Sequence, residues 1–117
     1  MSDITYHTPM GKLSDATEYN GVIYLAGQVA EDLSVGMTAQ TADVLRQIDT
    51  LLAKCGSSKS RILSATVYVT DMALKAEMDK AWMAWVDQTR PPARATVEAR
   101  LGANVLVEIM LTAAKNA

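Results

Sequence analysis

The stretches PPARATVE (residues 91–98) and VLVEIML (residues 105–111) decide the fold, because both are strand-like and both place a charged side chain among apolar neighbours. The first stretch contains Arg94 and the second contains Glu108. An unpaired charge inside a sheet is costly, so such a residue is usually paired or functional. Arginine is also the side chain best suited to grip a carboxylate, through two parallel hydrogen bonds. Arg94 and Glu108 are therefore the first candidate site residues.

Two amphipathic helices precede these strands. A period of 3.6 predicts one helix from Met37 to Cys55, ended by Gly56. A strand follows from Ile62 to Thr70, and Asp71 can cap a second helix that Pro91 and Pro92 bring to an end. The expected core positions of this second helix share one face: Leu74, Met78, Ala81, Trp82 and Trp85.

The N-terminal part predicts a β-hairpin. Asn20-Gly21 tolerates two positive φ angles and separates strand-like residues Leu13–Tyr19 from Val22–Ala26. The predicted order β-β-α-β-α-β-β gives an α+β two-layer sandwich, a mixed β-sheet with two helices on one face. We expect one domain over residues 1–117.

Both faces of the predicted sheet carry apolar side chains, but two helices can cover only one of them. Within residues 105–111, one set of alternate positions contains Val107 and Ile109, and the other contains Glu108 and Met110. In the middle strand, Leu63 is expected on the same face as Ala65. The uncovered face should meet another copy of the chain. With both charged residues on that face, Arg94 and Glu108 would lie in an intersubunit cleft.

Composition excludes several functions. The 117 residues carry a net charge of −2 and a pI near 5.3, without the basic stripe expected of a nucleic-acid-binding protein. No apolar run approaches the ~20 residues of a membrane span. The single cysteine, Cys55, forbids an internal disulfide and fits a reducing, cytoplasmic compartment. One histidine and one cysteine leave a structural zinc site without ligands.

Three motifs resemble the Rid family (reactive intermediate deaminases, also called the YjgF family). They are YLAGQV at residues 24–29, VYVTDM at residues 67–72, and PARATVEARL at residues 92–101 followed by VEI at residues 107–109. The similarity extends over nearly the whole chain in the right order. It implies a chorismate-mutase-like fold and a homotrimer with ligand sites in the intersubunit clefts.

The resemblance also implies a reaction without cofactor or metal. The best-known family activity is the hydrolysis of 2-imino acids such as 2-iminopropanoate, formed from 2-aminoacrylate, to 2-oxo acids and ammonia. Arg94 matches the arginine that binds the substrate carboxylate, and Glu108 matches the glutamate that activates water. Gly27 and the main chain near Thr96 would line the cleft.

Four positions depart from the better-studied members and bear on the substrate range. Leu13 replaces a cleft tyrosine, Ala26 a serine, Thr96 a cysteine and Asp79 an asparagine. The partner expected on this resemblance is a small 2-imino or 2-oxo acid.

Structural explanations compete with these functional ones. Arg94 would form a structural salt bridge with Glu98 or Glu108, and Glu108 would pair with Arg100 or Arg94 across an interface. A non-catalytic carboxylate binder and a protein-interaction trimer are the alternative functions. Cys55 is expected to be a buried small apolar residue, and His7 to be solvated.

Overall fold

Six strands and two α-helices form within residues 3–117, the part of the chain that the computed structural model describes. The elements are β1 Thr5–Pro9, β2 Ser14–Tyr19, β3 Val22–Val29, α1 Met37–Lys54, β4 Ile62–Val69, α2 Lys75–Trp85, β5 Ala93–Glu98 and β6 Val107–Ala114. Short 3-10 turns precede β4 and α2. The predicted α+β sandwich is confirmed, with β1 as an additional strand. Asp71 caps the 3-10 turn before α2 by accepting a hydrogen bond from the Ala73 N–H.

The sheet order places β5 at one edge. The order is β1-β2-β3-β6-β4-β5, and β4–β5 is the parallel pair, connected through α2. The other neighbours pair antiparallel. One side of the β5 backbone, which carries Arg94, therefore has no neighbouring strand within residues 3–117.

The predicted hairpin is confirmed at Asn20 and Gly21. Their φ angles are 50° and 78°, and Tyr19 pairs with Val22 on either side of them. Two positive φ angles define the type I′ turn, whose twist matches that of the flanking strands. The prediction for His7 is wrong: it lies in β1, half-buried, with Nε2 3.3 Å from the Glu18 Oε1 atom.

Both α-helices pack on one face of the sheet. Ile48, Leu52 and Met78 are fully buried there, and each such side chain stabilises the fold by about 1.5–3 kcal/mol. Cys55 is buried as expected, and this burial raises the pKa of its thiol. Trp82 is buried, whereas Trp85 is half-buried and donates its indole N–H to the Asp49 carboxylate at 3.0 Å.

A register shift at the start of β4 changes the expected face of Leu63. Ile62 pairs with Ala113 and Ser64 with Thr112, so β4 contains one extra residue at this point. Ile62 is buried while Leu63 is 49% exposed. The prediction that Leu63 shares a face with Ala65 is therefore wrong, because the bulge turns its side chain outward.

The opposite face of the sheet carries large apolar side chains that neither helix covers. Tyr24, Val97 and Met110 are 46%, 41% and 51% exposed on this uncovered face. None of the helices in residues 3–117 is both long and apolar enough to cross a membrane.

Candidate functional site

Arg94 lies at the edge of the sheet on the face covered by the helices. It pairs with Ala65 in the parallel β4–β5 ladder, and Ala65 is buried beneath the helices. Its Nη1 atom is 2.8 Å from the Asp79 Oδ1 atom, and its guanidinium carbon is 5.1 Å from the centre of the Trp82 ring. An ion pair and a cation–π contact thus hold the guanidinium in one place.

Asp79 forms ion pairs with two cations, Arg94 and Lys75. Lys75 lies one helical turn earlier on α2, and its Nζ atom donates to the Asp79 Oδ2 atom at 2.6 Å. Partial burial disfavours the charged carboxylate, but the hydrogen bonds from Lys75 and Arg94 outweigh it and lower the pKa of Asp79 below 3.8. Asp79 is therefore ionised at neutral pH.

Thr96 accompanies Arg94 on the helix-covered face, two residues further along β5. Its Oγ1 atom is buried and has no hydrogen-bond partner within residues 3–117. A hydroxyl in this state lacks a bond that a ligand or water would supply. Arg94 and Thr96 together form the first half of the candidate site.

Glu108 forms the second half, on the uncovered face. It pairs with Tyr68 in β4 and Val29 in β3. A bulge in β3 between Leu25 and Gln28 brings Gly27 against it. A side-chain Cβ built at Gly27 would overlap the Glu108 Oε2 atom, so glycine is required for this close approach.

The expectation that Arg94 and Glu108 share a face is wrong. The parallel register aligns Arg94 with Ala65, so the Arg94 side chain lies on the face covered by α2. Glu108 aligns with Tyr68 on the uncovered face. Within residues 3–117, Glu108 has no ion pair, so the expected Arg94–Glu108 salt bridge does not form within the chain. A pair of Glu108 with Arg100 or Arg94 across an interface stays a prediction. Glu98 accepts a hydrogen bond from the Met72 N–H at 2.8 Å instead of pairing with Arg94.

The remaining predicted site residues are Ala26 and Leu13. Ala26 precedes Gly27 in the β3 bulge and is half-buried. Leu13 is 45% exposed in the turn between β1 and β2, where its carbonyl accepts from the Met10 N–H at 2.7 Å.

Gln40 is a positioning residue that the sequence prediction missed. Its buried amide Nε2 donates to the Asn104 carbonyl at 3.0 Å, and its Oε1 accepts from the Leu106 N–H at 3.0 Å. These bonds hold the loop before β6 in place. Because Glu108 lies at the start of β6, they also help to position Glu108. The available signal was a polar residue within the apolar stripe of α1.

No three His, Cys, Asp or Glu side chains in residues 3–117 are grouped so that they could hold a metal ion. Within the described residues, the arrangement provides a restrained cation, a buried hydroxyl without a partner and a carboxylate packed against the Gly27 backbone. Such groups can bind an anion and transfer a proton.

The chain belongs to the family described as Endoribonuclease L-PSP, whose profile matches residues 5–115. A RutC family protein from Haemophilus ducreyi is 49% identical over 106 residues, covering 90% of this chain and 91% of the relative. RutC family protein YoaB from Escherichia coli is 44% identical over 102 residues, covering 86% and 89%.

Solved structures show the same fold. A YjgF-family protein from Neisseria meningitidis is 49% identical with a TM-score of 0.92, covering 98% of this chain and 97% of that one. The Rid-family protein YyfA from Yersinia pestis, described as a protein of unknown function, is 31% identical with a TM-score of 0.84, covering 91% and 90%. The predicted Rid/YjgF membership is therefore confirmed.

Proposed function

We propose that the protein is a cofactor-independent hydrolase that deaminates reactive 2-imino acids, such as 2-iminopropanoate, to 2-oxo acids and ammonia. The main support is the restrained guanidinium of Arg94, 20% exposed at the sheet edge and held by Asp79 and Trp82. A guanidinium fixed in advance binds a carboxylate with little further loss of conformational freedom. The Rid membership agrees with this reaction.

The site would form between copies of the chain. Arg94 and Thr96 lie on the helix-covered face at the edge strand, and Glu108 and Gly27 lie on the uncovered face. One chain therefore cannot present both halves to a small ligand. A homotrimer that buries its apolar uncovered faces would place the β5 edge of one copy against the Glu108 face of the next.

In this reaction, Arg94 binds the carboxylate of the 2-imino acid and so fixes the neighbouring imine carbon. The Glu108 carboxylate takes a proton from water, and the water oxygen bonds to that carbon while the C=N electron pair moves to nitrogen. The proton passes from Glu108 to nitrogen. Glu108 then takes the hydroxyl proton of the resulting carbinolamine and passes it to the amino nitrogen. The C–N bond breaks as the C=O bond forms, and this gives ammonia and the 2-oxo acid. The free hydroxyl of Thr96 would bind the ligand near Arg94.

The reaction is tested by generating 2-aminoacrylate from serine with a dehydratase and measuring pyruvate release. We expect the wild type to accelerate release. Glu108→Gln should slow it by ~10²–10⁴, the usual contribution of a general base, while binding of 2-oxobutanoate persists. A folded Glu108→Gln variant with wild-type turnover would remove the catalytic role of Glu108.

Subunit mixing tests the shared site. Arg94→Ala and Glu108→Gln should each be inactive alone. In a mixed trimer, a site is intact when the copy that supplies Arg94 carries Glu108→Gln and the copy that supplies Glu108 carries Arg94→Ala. Random mixing should then restore about a quarter of wild-type activity. No recovery in mixed trimers would contradict the intersubunit site, and a monomer mass from light scattering would contradict the assembly.

A non-catalytic binder of small carboxylates is the second candidate. It is favoured by the fact that the Arg94 anchor is completed by Asp79 and Trp82 of the same chain, without Glu108. In this case 2-oxobutanoate would bind with Arg94 dependence, but pyruvate release would not exceed the uncatalysed rate.

A further inference from the structure

The Asp79 carboxylate reduces the charge of the Arg94 anchor. Its Oδ1 atom is 2.8 Å from Arg94 and its Oδ2 atom is 2.6 Å from Lys75, so each oxygen faces one cation. Two cations and one carboxylate leave a net charge of +1 in the cluster. An uncharged residue at position 79 would leave a net charge of +2.

Asp79 is placed to act on any ligand that binds Arg94. The Asp79 side chain is 29% exposed, so solvent screens its charge only in part. Its carboxylate lies at hydrogen-bonding distance from the Arg94 guanidinium. Asparagine at this position would keep an oxygen acceptor for Arg94 but remove the negative charge. Charge and orientation can therefore be separated experimentally.

We propose that Asp79 is a specificity-determining residue that restricts the Arg94 anchor to monoanionic ligands. This inference rests on the carboxylate-binding role proposed for Arg94, and it defines the substrate class as 2-imino acids without a second acidic group. The physical basis is Coulombic: a negative side chain repels a ligand in proportion to the charge of that ligand. A dicarboxylate thus suffers more repulsion than a monocarboxylate of equal length.

Butanoate and succinate provide a matched pair of probes, since both have four carbons and they differ by one carboxylate. Binding can be followed by NMR through the indole N–H of Trp82, whose ring lies 5.1 Å from the Arg94 guanidinium. These probes do not require catalysis, so the measurement is independent of deaminase activity.

In the wild type, butanoate should shift the Trp82 signal and succinate should bind more weakly. Asp79→Asn should tighten succinate binding by about tenfold and butanoate binding by no more than about threefold. Lys75→Met should act in the opposite direction, weakening succinate more than butanoate. Glu77→Gln is the matched control, because Glu77 lies exposed on the same helix and its removal changes the net charge equally.

Each outcome decides a separate question. Loss of binding in Arg94→Ala, with the expected Asp79→Asn and Lys75→Met shifts, supports the inference even if no imine is hydrolysed. An unchanged butanoate-to-succinate ratio in both variants would overturn it while leaving Arg94 as the anchor. Arg94-independent binding, or no response of Trp82 to either probe, would overturn both the inference and the anchor.

Discussion

The backbone of Gly27 lies against the carboxylate of Glu108, with no room for a side chain between them. Gly27→Ala should therefore displace Glu108. Because misplacement of a reacting group by about 1 Å can cost ~10² in rate, pyruvate release should fall by about this factor. Binding of 2-oxobutanoate through Arg94 should persist. Gly36→Ala is the control, since a Cβ at Gly36 meets open space, and an equal loss there would contradict the role of Gly27.

Replacement of Arg94 by alanine should strongly weaken carboxylate binding. Removing one partner of a buried charge pair costs ~2–5 kcal/mol, and the half-buried Arg94 should approach the lower value. Arg94→Lys should recover little, because an ammonium cannot reproduce the planar fork. Calorimetry with 2-oxobutanoate provides the measurement. Equal affinity in the wild type and Arg94→Ala would contradict the anchor.

Asp79 should also contribute stability that depends on pH. Its pKa is lowered in the folded chain below the ordinary 3.8, so its ionised form stabilises the fold above pH 3.8. This contribution is lost as the pH falls through the lowered value. The melting-temperature difference between wild type and Asp79→Asn should therefore be largest near neutral pH and shrink below pH 3.8. A difference that stayed constant over this range would contradict the ion pairs of Asp79.

Gln40 should stabilise the loop before β6. Gln40→Ala would leave the Leu106 N–H and the Asn104 carbonyl without their partner, at a cost of about 1–3 kcal/mol. Urea unfolding at a fixed protein concentration measures the change. Gln88→Ala, at an exposed position, should change the free energy of unfolding by no more than about 0.5 kcal/mol.

RNA cleavage should be absent despite the endoribonuclease description of the family profile. The chain carries a net charge of −2, which opposes binding to a polyanion. Purified protein should leave RNA intact across all fractions of its chromatographic peak. Cleavage that followed this peak and disappeared in Arg94→Ala would support a nuclease function for this chain.

Short sequence motifs correctly predicted the turns and helix ends that depend on neighbouring residues alone. Asn20 and Gly21 specify a turn through their tolerance of positive φ, and Gly56 ends α1 with a φ of 78°. β1 was missed because its residues, TYHTP, contain little apolar periodicity and are ordered by pairing with β2. Leu63 was misplaced because a bulge depends on the neighbouring strand.

The face of Arg94 could not be predicted from alternation alone. Alternation shows which residues of a strand share a face, but it does not identify the helix-covered face when both faces are apolar. The parallel register of β5 on β4 decides this. The Asp79–Arg94 pair was missed for a related reason. The apolar stripe of α2 predicts which side of the helix packs on the sheet, but Asp79 lies beside this stripe, and the stripe does not predict the partners of neighbouring polar residues.

The parallel pairing of β4 and β5 through α2 gives the protein a modular construction. Lys75, Asp79, Trp82 and Arg94 all belong to one continuous segment, residues 62–98, while Gly27 and Glu108 come from the antiparallel strands outside it. A transplant of this segment between relatives would carry the anchor and its charged neighbours together, leaving the Gly27–Glu108 arrangement in the recipient. The proposed carboxylate anchor and the proposed Glu108 base can therefore be exchanged separately in chimaeras of this fold.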